Sequence, residues 1–127
     1  MAGNIIIPKG SPPPLAPYSP GMRVGNTIYV SGTLAMNAQG EIVGVGDVAA
    51  QTEQVIQNIR SVLEAAGSGL KDVVMANIFL TDFANYEEMN KVYGTYLTTN
   101  PPARYCVQSN LVKPEFLVEI AVIAVME

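Results

Sequence analysis

The sequence predicts an α+β fold in which one β-sheet carries two helices on one of its faces. Two segments repeat apolar residues at helical spacing, and short runs of branched and aromatic residues precede, separate and follow them. The predicted order of elements is β-β-α-β-α-β-β, which favours a single sheet with both helices on the same side. Because no linker or internal repeat divides the 127 residues, the chain predicts a single domain over residues 1–127.

The first half of the chain predicts a proline-rich lead-in followed by a hairpin. Residues 12–20 are rich in proline, which fixes φ and lacks a backbone donor, so this segment is extended or turning. Tyr18 within it is then either an exposed aromatic or a pocket wall. Ile28 to Ser31 predicts a strand ending at Gly32, and residues 41–43 predict the strand that returns beside it.

Helical periodicity begins at Asp47, a suitable N-cap, and stops at Gly67. After a strand from Val73 to Leu80, the second helix is expected to begin with a capping-box-like pair, Asn85 and Glu88. The expected buried stripes are Val48, Val55, Ile59, Val62 and Ala66 on the first helix and Met89, Val92, Tyr93, Tyr96 and Leu97 on the second.

Two further strands are predicted, over residues 103–109 and 117–126. The last is apolar on both sides, which is typical of a central strand that is covered on both faces. Since both helices lie on one face, a partner subunit is the expected cover for the other. The composition agrees, because 49% hydrophobic and only 14% charged residues suit a homo-oligomer.

Charge and hydropathy argue against nucleic acid and membrane as partners. The net charge is −4 and no basic patch is visible, so nucleic acid is not an expected partner. The N-terminus lacks the pattern of a signal peptide, and the apolar run at residues 117–126 is too short to cross a bilayer as a helix. We therefore expect a cytoplasmic protein without a membrane partner.

Two scarce residue types constrain the chemistry. The chain has no histidine, which removes the most common general base and metal ligand. Its single cysteine, Cys106, excludes an intrachain disulfide and a cysteine zinc site. Metal catalysis is therefore not expected, and Ser31 lacks the base that a hydrolase serine needs.

Four residues stand out as candidates for a site. Strand alternation places Arg104, Cys106 and Gln108 on one face, and a half-buried arginine there must be paired or must await an anion. Its planar fork suits a carboxylate, although a structural Arg–Glu pair is the alternative.

Glu119 lies in the most apolar strand, so its pKa should be perturbed, whether it serves the site or only neutralises Arg104. Arg104 would somewhat favour a Cys106 thiolate, but the chain lacks the histidine that activates such a nucleophile, so a packing role is expected. Asn90 lies beside the stripe of the second helix.

Several motifs together resemble one known family. In order they are Pro17-Tyr18, Val30-Ser31-Gly32, the helix with Asn90, Pro102-Ala103-Arg104 and Val118-Glu119-Ile120. This arrangement, over nearly the whole chain, resembles the Rid family of reactive intermediate deaminases, also called YjgF-type proteins. Its RutC-type branch of 3-aminoacrylate deaminases is the most similar, through the segments 31–34, 104–106 and 111–114.

The resemblance implies a chorismate-mutase-like fold, a homotrimer and sites in the clefts between subunits. It also implies hydrolysis of small enamine or imine carboxylic acids without a cofactor. Arg104 would anchor the carboxylate and Glu119 would orient or activate water, while Tyr18, Ser31, Gly32, Asn90 and Cys106 would bind the substrate.

The chain departs from many Rid proteins at three positions. Thr33 and Pro20 stand where glutamine is common, and Ala121 stands where a second glutamate is common. These differences favour 3-aminoacrylate of the pyrimidine-degradation pathway over 2-imino acids as the substrate. A general 2-imino acid deaminase, a non-catalytic metabolite-binding trimer, and a ribonuclease or translation inhibitor remain alternatives.

Overall fold

The computed structural model describes residues 3–12, 14 and 16–127. Within them, six strands form one sheet in the order β1-β2-β3-β6-β4-β5. The strands are β1 (Asn4–Ile6), β2 (Gly21–Val24), β3 (Thr27–Thr33), β4 (Val73–Leu80), β5 (Ala103–Gln108) and β6 (Val118–Val125). The helices are α1 (Val48–Ala65) and α2 (Tyr86–Tyr96), with 3-10 turns at Leu70–Asp72 and Phe83–Asn85. Only the β4–β5 pair is parallel in the described part of the sheet, so the predicted α+β class is confirmed.

The last strand, β6, is central, as its sequence predicts. It pairs with β3 on one side and β4 on the other. Its residues Val118, Ile120, Val122 and Ala124 are at most 2% exposed and belong to the core that α1 shares with β3 and β4. Burying such aliphatic side chains contributes about 1.5–3 kcal/mol each, so the helix-covered face supplies most of the stability of the chain.

Helix α1 begins and ends where the sequence indicates. The Asp47 side chain accepts a hydrogen bond from the Ala50 amide at 3.1 Å. At the other end Gly67 adopts a φ of +82°, which favours glycine, and its amide donates to the Glu64 carbonyl at 3.0 Å. The predicted apolar stripe of this helix is buried in full.

Helix α2 begins at the predicted position, but the predicted capping box is wrong. Asn85 makes no capping hydrogen bond, since its backbone (φ −89°, ψ 2°) is not extended as an N-cap requires. The 3-10 turn before the helix moves the cap upstream, where the Asp82 side chain accepts from the Ala84 amide at 2.9 Å. Of the predicted stripe, Met89, Tyr93 and Leu97 are buried, whereas Val92 and Tyr96 are half-buried.

The predicted hairpin partner of β3 is also wrong. Residues 41–43 form no strand and make one isolated bridge, Met36 to Ile42. The partner is β2, which precedes β3 and joins it through a two-residue turn at Gly25 and Asn26, where Gly25 has a φ of +59°. Residues 37–41 form a turn, in which the Asn37 side chain accepts hydrogen bonds from the Gln39 and Glu41 amides, both at 3.0 Å.

The sheet face opposite the helices, here called the open face, carries apolar side chains that the chain itself leaves uncovered. Tyr29 and Tyr105 are each 48% exposed, and Val107 is 40% exposed. The double burial predicted for the last strand therefore applies on only one side within a single chain. None of the helices among the described residues has the length and hydropathy needed to cross a membrane.

Candidate active site

Strand register places Arg104 and Glu119 on opposite faces of the sheet. Arg104 pairs with Ala76, which pairs with Val122, and both of these neighbours face the helices. Glu119 pairs with Phe79 in a row on the open face. A structural Arg104–Glu119 pair is therefore excluded within one chain. Among the described residues the only ion pair joins Lys71 to Asp72 at 3.0 Å.

Arg104 lies between two tyrosine rings of α2. Its guanidinium carbon is 4.9 Å from the centroid of Tyr93 and 5.6 Å from that of Tyr86. The rings attract the cation through their π faces. Nη2 also donates to the Tyr86 hydroxyl at 2.9 Å, the one hydrogen bond of Arg104 to the described residues. Because arginine has five N–H donors, a complete edge remains for a carboxylate.

Two buried polar atoms of α2 lack a partner among the described residues. They are Oδ1 of Asn90 and the hydroxyl oxygen of Tyr93, one turn apart on the same helical face. Burial raises the pKa of the Tyr93 hydroxyl, and the positive charge of Arg104 opposes part of this shift. Since buried polar groups are normally paired, these two atoms are available to a polar group from outside the chain, whether a ligand or a partner subunit.

Cys106 and Gln108 follow Arg104 on the helix-covered face. Burial raises the pKa of the Cys106 thiol, and the nearby Arg104 charge only partly offsets it. Gln108 accepts a hydrogen bond from the Phe83 amide at 3.0 Å and so ties β5 to the turn that precedes α2. We call Tyr86, Asn90, Tyr93, Arg104 and Cys106 the Arg104 cluster.

Glu119 lies beside a bulge in β3. The β3–β6 register shifts between Val30 and Thr33, which leaves Ser31 and Gly32 in the bulge. The Glu119 carboxylate lies across Gly32, and a Cβ at that position would overlap Oε2 of Glu119. Any larger residue at position 32 would therefore force the Glu119 carboxylate to move. Burial raises the pKa of Glu119, so its carboxyl holds a proton at higher pH than an ordinary glutamate.

The bulge is tied to the proline-rich segment that carries Tyr18. The Ser31 hydroxyl donates to the Ser19 carbonyl at 2.6 Å, and the Ser31 amide donates to the Pro20 carbonyl at 3.0 Å. Tyr18 is 44% exposed and, with Ser31 and Gly32, lines a cavity of about 230 Å³. Tyr18 is thus both a pocket wall and partly exposed. We call Tyr18, Ser31, Gly32 and Glu119 the Glu119 cluster.

The structure therefore sorts the predicted site residues into two clusters that one chain does not bring together. Arg104 and Cys106 lie on the helix-covered face of β5 and Asn90 lies on α2. Ser31 and Gly32 form the β3 bulge, which Glu119 contacts and to which the segment with Tyr18 is tied. Sequence reasoning missed Tyr86 and assigned Tyr93 only to the core. Their spacing of two helical turns, with Asn90 between them, was the available signal of an aromatic wall. No three His, Cys, Asp or Glu side chains in the described ranges are grouped to hold a metal ion.

A family model described as Endoribonuclease L-PSP matches residues 9–126. The chain belongs to this family. The 3-aminoacrylate deaminase RutC of Acinetobacter baylyi is 50% identical over 124 residues, which is 98% of each chain. Among solved structures, RidA from an Antarctic Psychrobacter species is 35% identical, with a TM-score of 0.89 over 97% of this chain and 99% of its own.

Escherichia coli TdcF with bound serine is also similar, at 29% identity and a TM-score of 0.89 over 98% of this chain and 99% of its own. These similarities confirm the predicted membership of the Rid family, with RutC among its relatives. They also confirm the predicted fold, because the family members share it over nearly their full length.

Proposed function

We propose that the protein is a cofactor-independent deaminase that hydrolyses 3-aminoacrylate to malonic semialdehyde and ammonia. The observation that carries this proposal is the unpaired Arg104 guanidinium, held between two tyrosine rings with an edge left for a carboxylate. The 50% identity to the 3-aminoacrylate deaminase RutC over 98% of each chain supports the substrate.

The substrate fits the chemistry of the Arg104 cluster. 3-Aminoacrylate is a three-carbon acid with its carboxylate at one end and its nitrogen at the other. Arg104 binds the carboxylate through two parallel N–H donors, which fixes the direction of the carbon chain. Positioning of this kind can lower a barrier by about 7–11 kcal/mol at most, which is sufficient help for a reaction as mild as imine hydrolysis.

The reaction needs proton transfers but no strong nucleophile. The enamine becomes an imine when C2 gains a proton and the nitrogen loses one. Water then adds to C3 and one of its protons passes to the nitrogen, which gives a carbinolamine. The second water proton passes from the oxygen to the nitrogen as the C3–N bond breaks, which releases ammonia and the aldehyde. Glu119, whose pKa burial raises, carries the proton between water and the leaving nitrogen.

The active enzyme is a homotrimer in which each site joins the Arg104 cluster of one subunit to the Glu119 cluster of the next. Two observations support this arrangement. The clusters lie on opposite faces of the sheet in one chain, and the open face exposes Tyr29, Tyr105 and Val107. A partner subunit that covers this face would bury apolar surface and complete the site.

A general 2-imino acid deaminase is the second candidate. The bound serine of the similar Escherichia coli TdcF supports it, since serine carries its nitrogen next to its carboxylate. A ribonuclease is disfavoured by the net charge of −4 and by the lack of histidine. A cytoplasmic location remains a prediction.

Product analysis separates an enzyme from a metabolite-binding protein. 3-Aminoacrylate generated in situ should give ammonia and malonic semialdehyde in equal amounts, faster than without the protein, and the Arg104→Ala variant should match the uncatalysed rate. Tight binding of the acid without faster product release would instead identify a non-catalytic binding protein.

A further inference from the structure

Tyr86 is the residue of the Arg104 cluster to which sequence reasoning gave no role. It is the first residue of α2, and its hydroxyl accepts a hydrogen bond from Nη2 of Arg104 at 2.9 Å. A phenol that accepts one hydrogen bond still has its own hydrogen to donate. That hydrogen finds no acceptor among the described residues, although the hydroxyl lies next to a cation.

The tyrosine is both held in place and open to a ligand. Its ring packs edge-on against Phe83, with 6.4 Å between the centroids, and lies 5.6 Å from the guanidinium carbon of Arg104. It is nevertheless 39% exposed, so a small molecule can reach the hydroxyl from solvent. Accepting from a guanidinium polarises the phenol and strengthens it as a donor.

We propose that Tyr86 is a carboxylate-binding residue, whose hydroxyl joins Arg104 in a three-donor cradle for the acid group of the substrate. This inference rests on the proposed function and deepens it. Two guanidinium N–H groups bind the two carboxylate oxygens, and the phenol donates to a remaining lone pair of one of them. A third donor fixes the carboxylate against rotation about the axis that the two guanidinium bonds leave free.

The matched pair of variants is Tyr86→Phe and Tyr96→Phe. The first keeps the ring that stacks on Arg104 and removes only the hydroxyl. The second removes the hydroxyl of Tyr96 on the same helix, which is bonded to Glu53 and Gln57 of α1 and belongs to neither cluster. Acrylate, a three-carbon acid without nitrogen, serves as an unreactive probe of carboxylate binding by calorimetric titration.

We expect Tyr86→Phe to weaken acrylate binding by about ten- to a hundredfold, since it removes one hydrogen bond to a charged group. The KM for 3-aminoacrylate should rise by a similar factor while kcat changes by less than about threefold, because the hydroxyl binds the carboxylate in ground and transition states alike. Tyr96→Phe should bind acrylate like the unmodified chain.

Acrylate binding by Tyr86→Phe within twofold of the unmodified chain would overturn the proposal. A fall in kcat with unchanged KM and unchanged acrylate affinity would also overturn it, because the lost interaction would then act only in the transition state. Failure of the unmodified protein to bind acrylate would contradict the three-donor carboxylate site itself. If the unmodified protein releases no ammonia from 3-aminoacrylate, the proposed function fails, yet the acrylate titration still decides the role of Tyr86.

Discussion

Arg104 and Glu119 occupy opposite faces of the same sheet, each in a row of paired residues that crosses three strands. One chain therefore holds an anion-binding cluster on the side of α2 and a carboxylic acid on the side of the open face. The two can act on one small substrate only if different subunits supply them. This relationship leads to the first prediction.

The protein should be a trimer whose sites form between subunits. Sedimentation equilibrium at micromolar concentration should give about three times the 13.5 kDa chain mass, as expected for a closed ring of head-to-tail contacts. A monomer that retains full activity would contradict the shared site.

Mixed assemblies test the same prediction more sharply. Arg104→Ala and Glu119→Gln should each be inactive alone. Co-assembled at equal amounts, they should recover about a quarter of the normal activity, because one interface in four joins an intact Arg104 to an intact Glu119 in a ring of this kind. Co-assembly of Arg104→Ala with the double variant is the control and should recover nothing.

Much of this fold could be predicted because local signals decide it. The Asp47 cap, the stop at Gly67 and the alternation of Arg104 and Cys106 each depend on neighbouring residues. Periodicity shows which side chains lie on the same side of one strand. It does not show whether that side faces the helices or the open face of the sheet. The parallel pairing of β5 with β4 settles this, and it depends on the crossover through α2. The opposition of Arg104 and Glu119 was therefore beyond sequence reasoning.

Arg104 should be essential for turnover but not for folding. Arg104→Ala should lower kcat/KM at least about a hundredfold, and Arg104→Lys should recover little, because lysine lacks the planar fork that binds a carboxylate through two parallel bonds. Ammonia release measures the activity, and thermal unfolding with sedimentation monitors fold and assembly. Near-normal turnover by either variant, with folding unchanged, would exclude Arg104 as the anchor.

Glu119 should make stability depend on pH. Burial raises its pKa above the usual 4.5, so the folded state binds the proton more tightly than the unfolded state and stability falls as pH rises from 4.5 through the raised value. Glu119→Gln should therefore unfold at a higher temperature than the unmodified protein at pH 8, with a gain of at most about 1 kcal/mol because partial exposure screens the penalty.

That advantage should disappear below pH 4.5, where the glutamate is protonated in both states. Exposed Glu64 on α1 supplies the matched control, Glu64→Gln. Thermal scans should use equal protein concentrations, since assembly affects the midpoint. A Glu119→Gln protein that is less stable than the unmodified one at pH 8 would show that the carboxylate has a stabilising partner.

Cys106 should line the site without forming a covalent intermediate. Its pKa is raised by burial, so little thiolate exists at neutral pH to act as a nucleophile. Cys106→Ser should retain more than about half of the activity, because it removes only a weak contact. Intact-protein mass spectrometry during turnover should show no adduct, and a substrate-derived mass on Cys106 would overturn the mechanism.

The preferred substrate tests the central claim most directly. In 3-aminoacrylate the carbon that water attacks is the far end of the chain, whereas in 2-aminoacrylate it adjoins the carboxylate. An anchor at Arg104 therefore places the two reacting carbons about one bond length apart, which is enough to cost much of the rate. Both acids can be generated enzymatically in situ and compared by ammonia release at matched concentrations. The account predicts a clearly higher kcat/KM for 3-aminoacrylate, and a higher value for 2-aminoacrylate would contradict it.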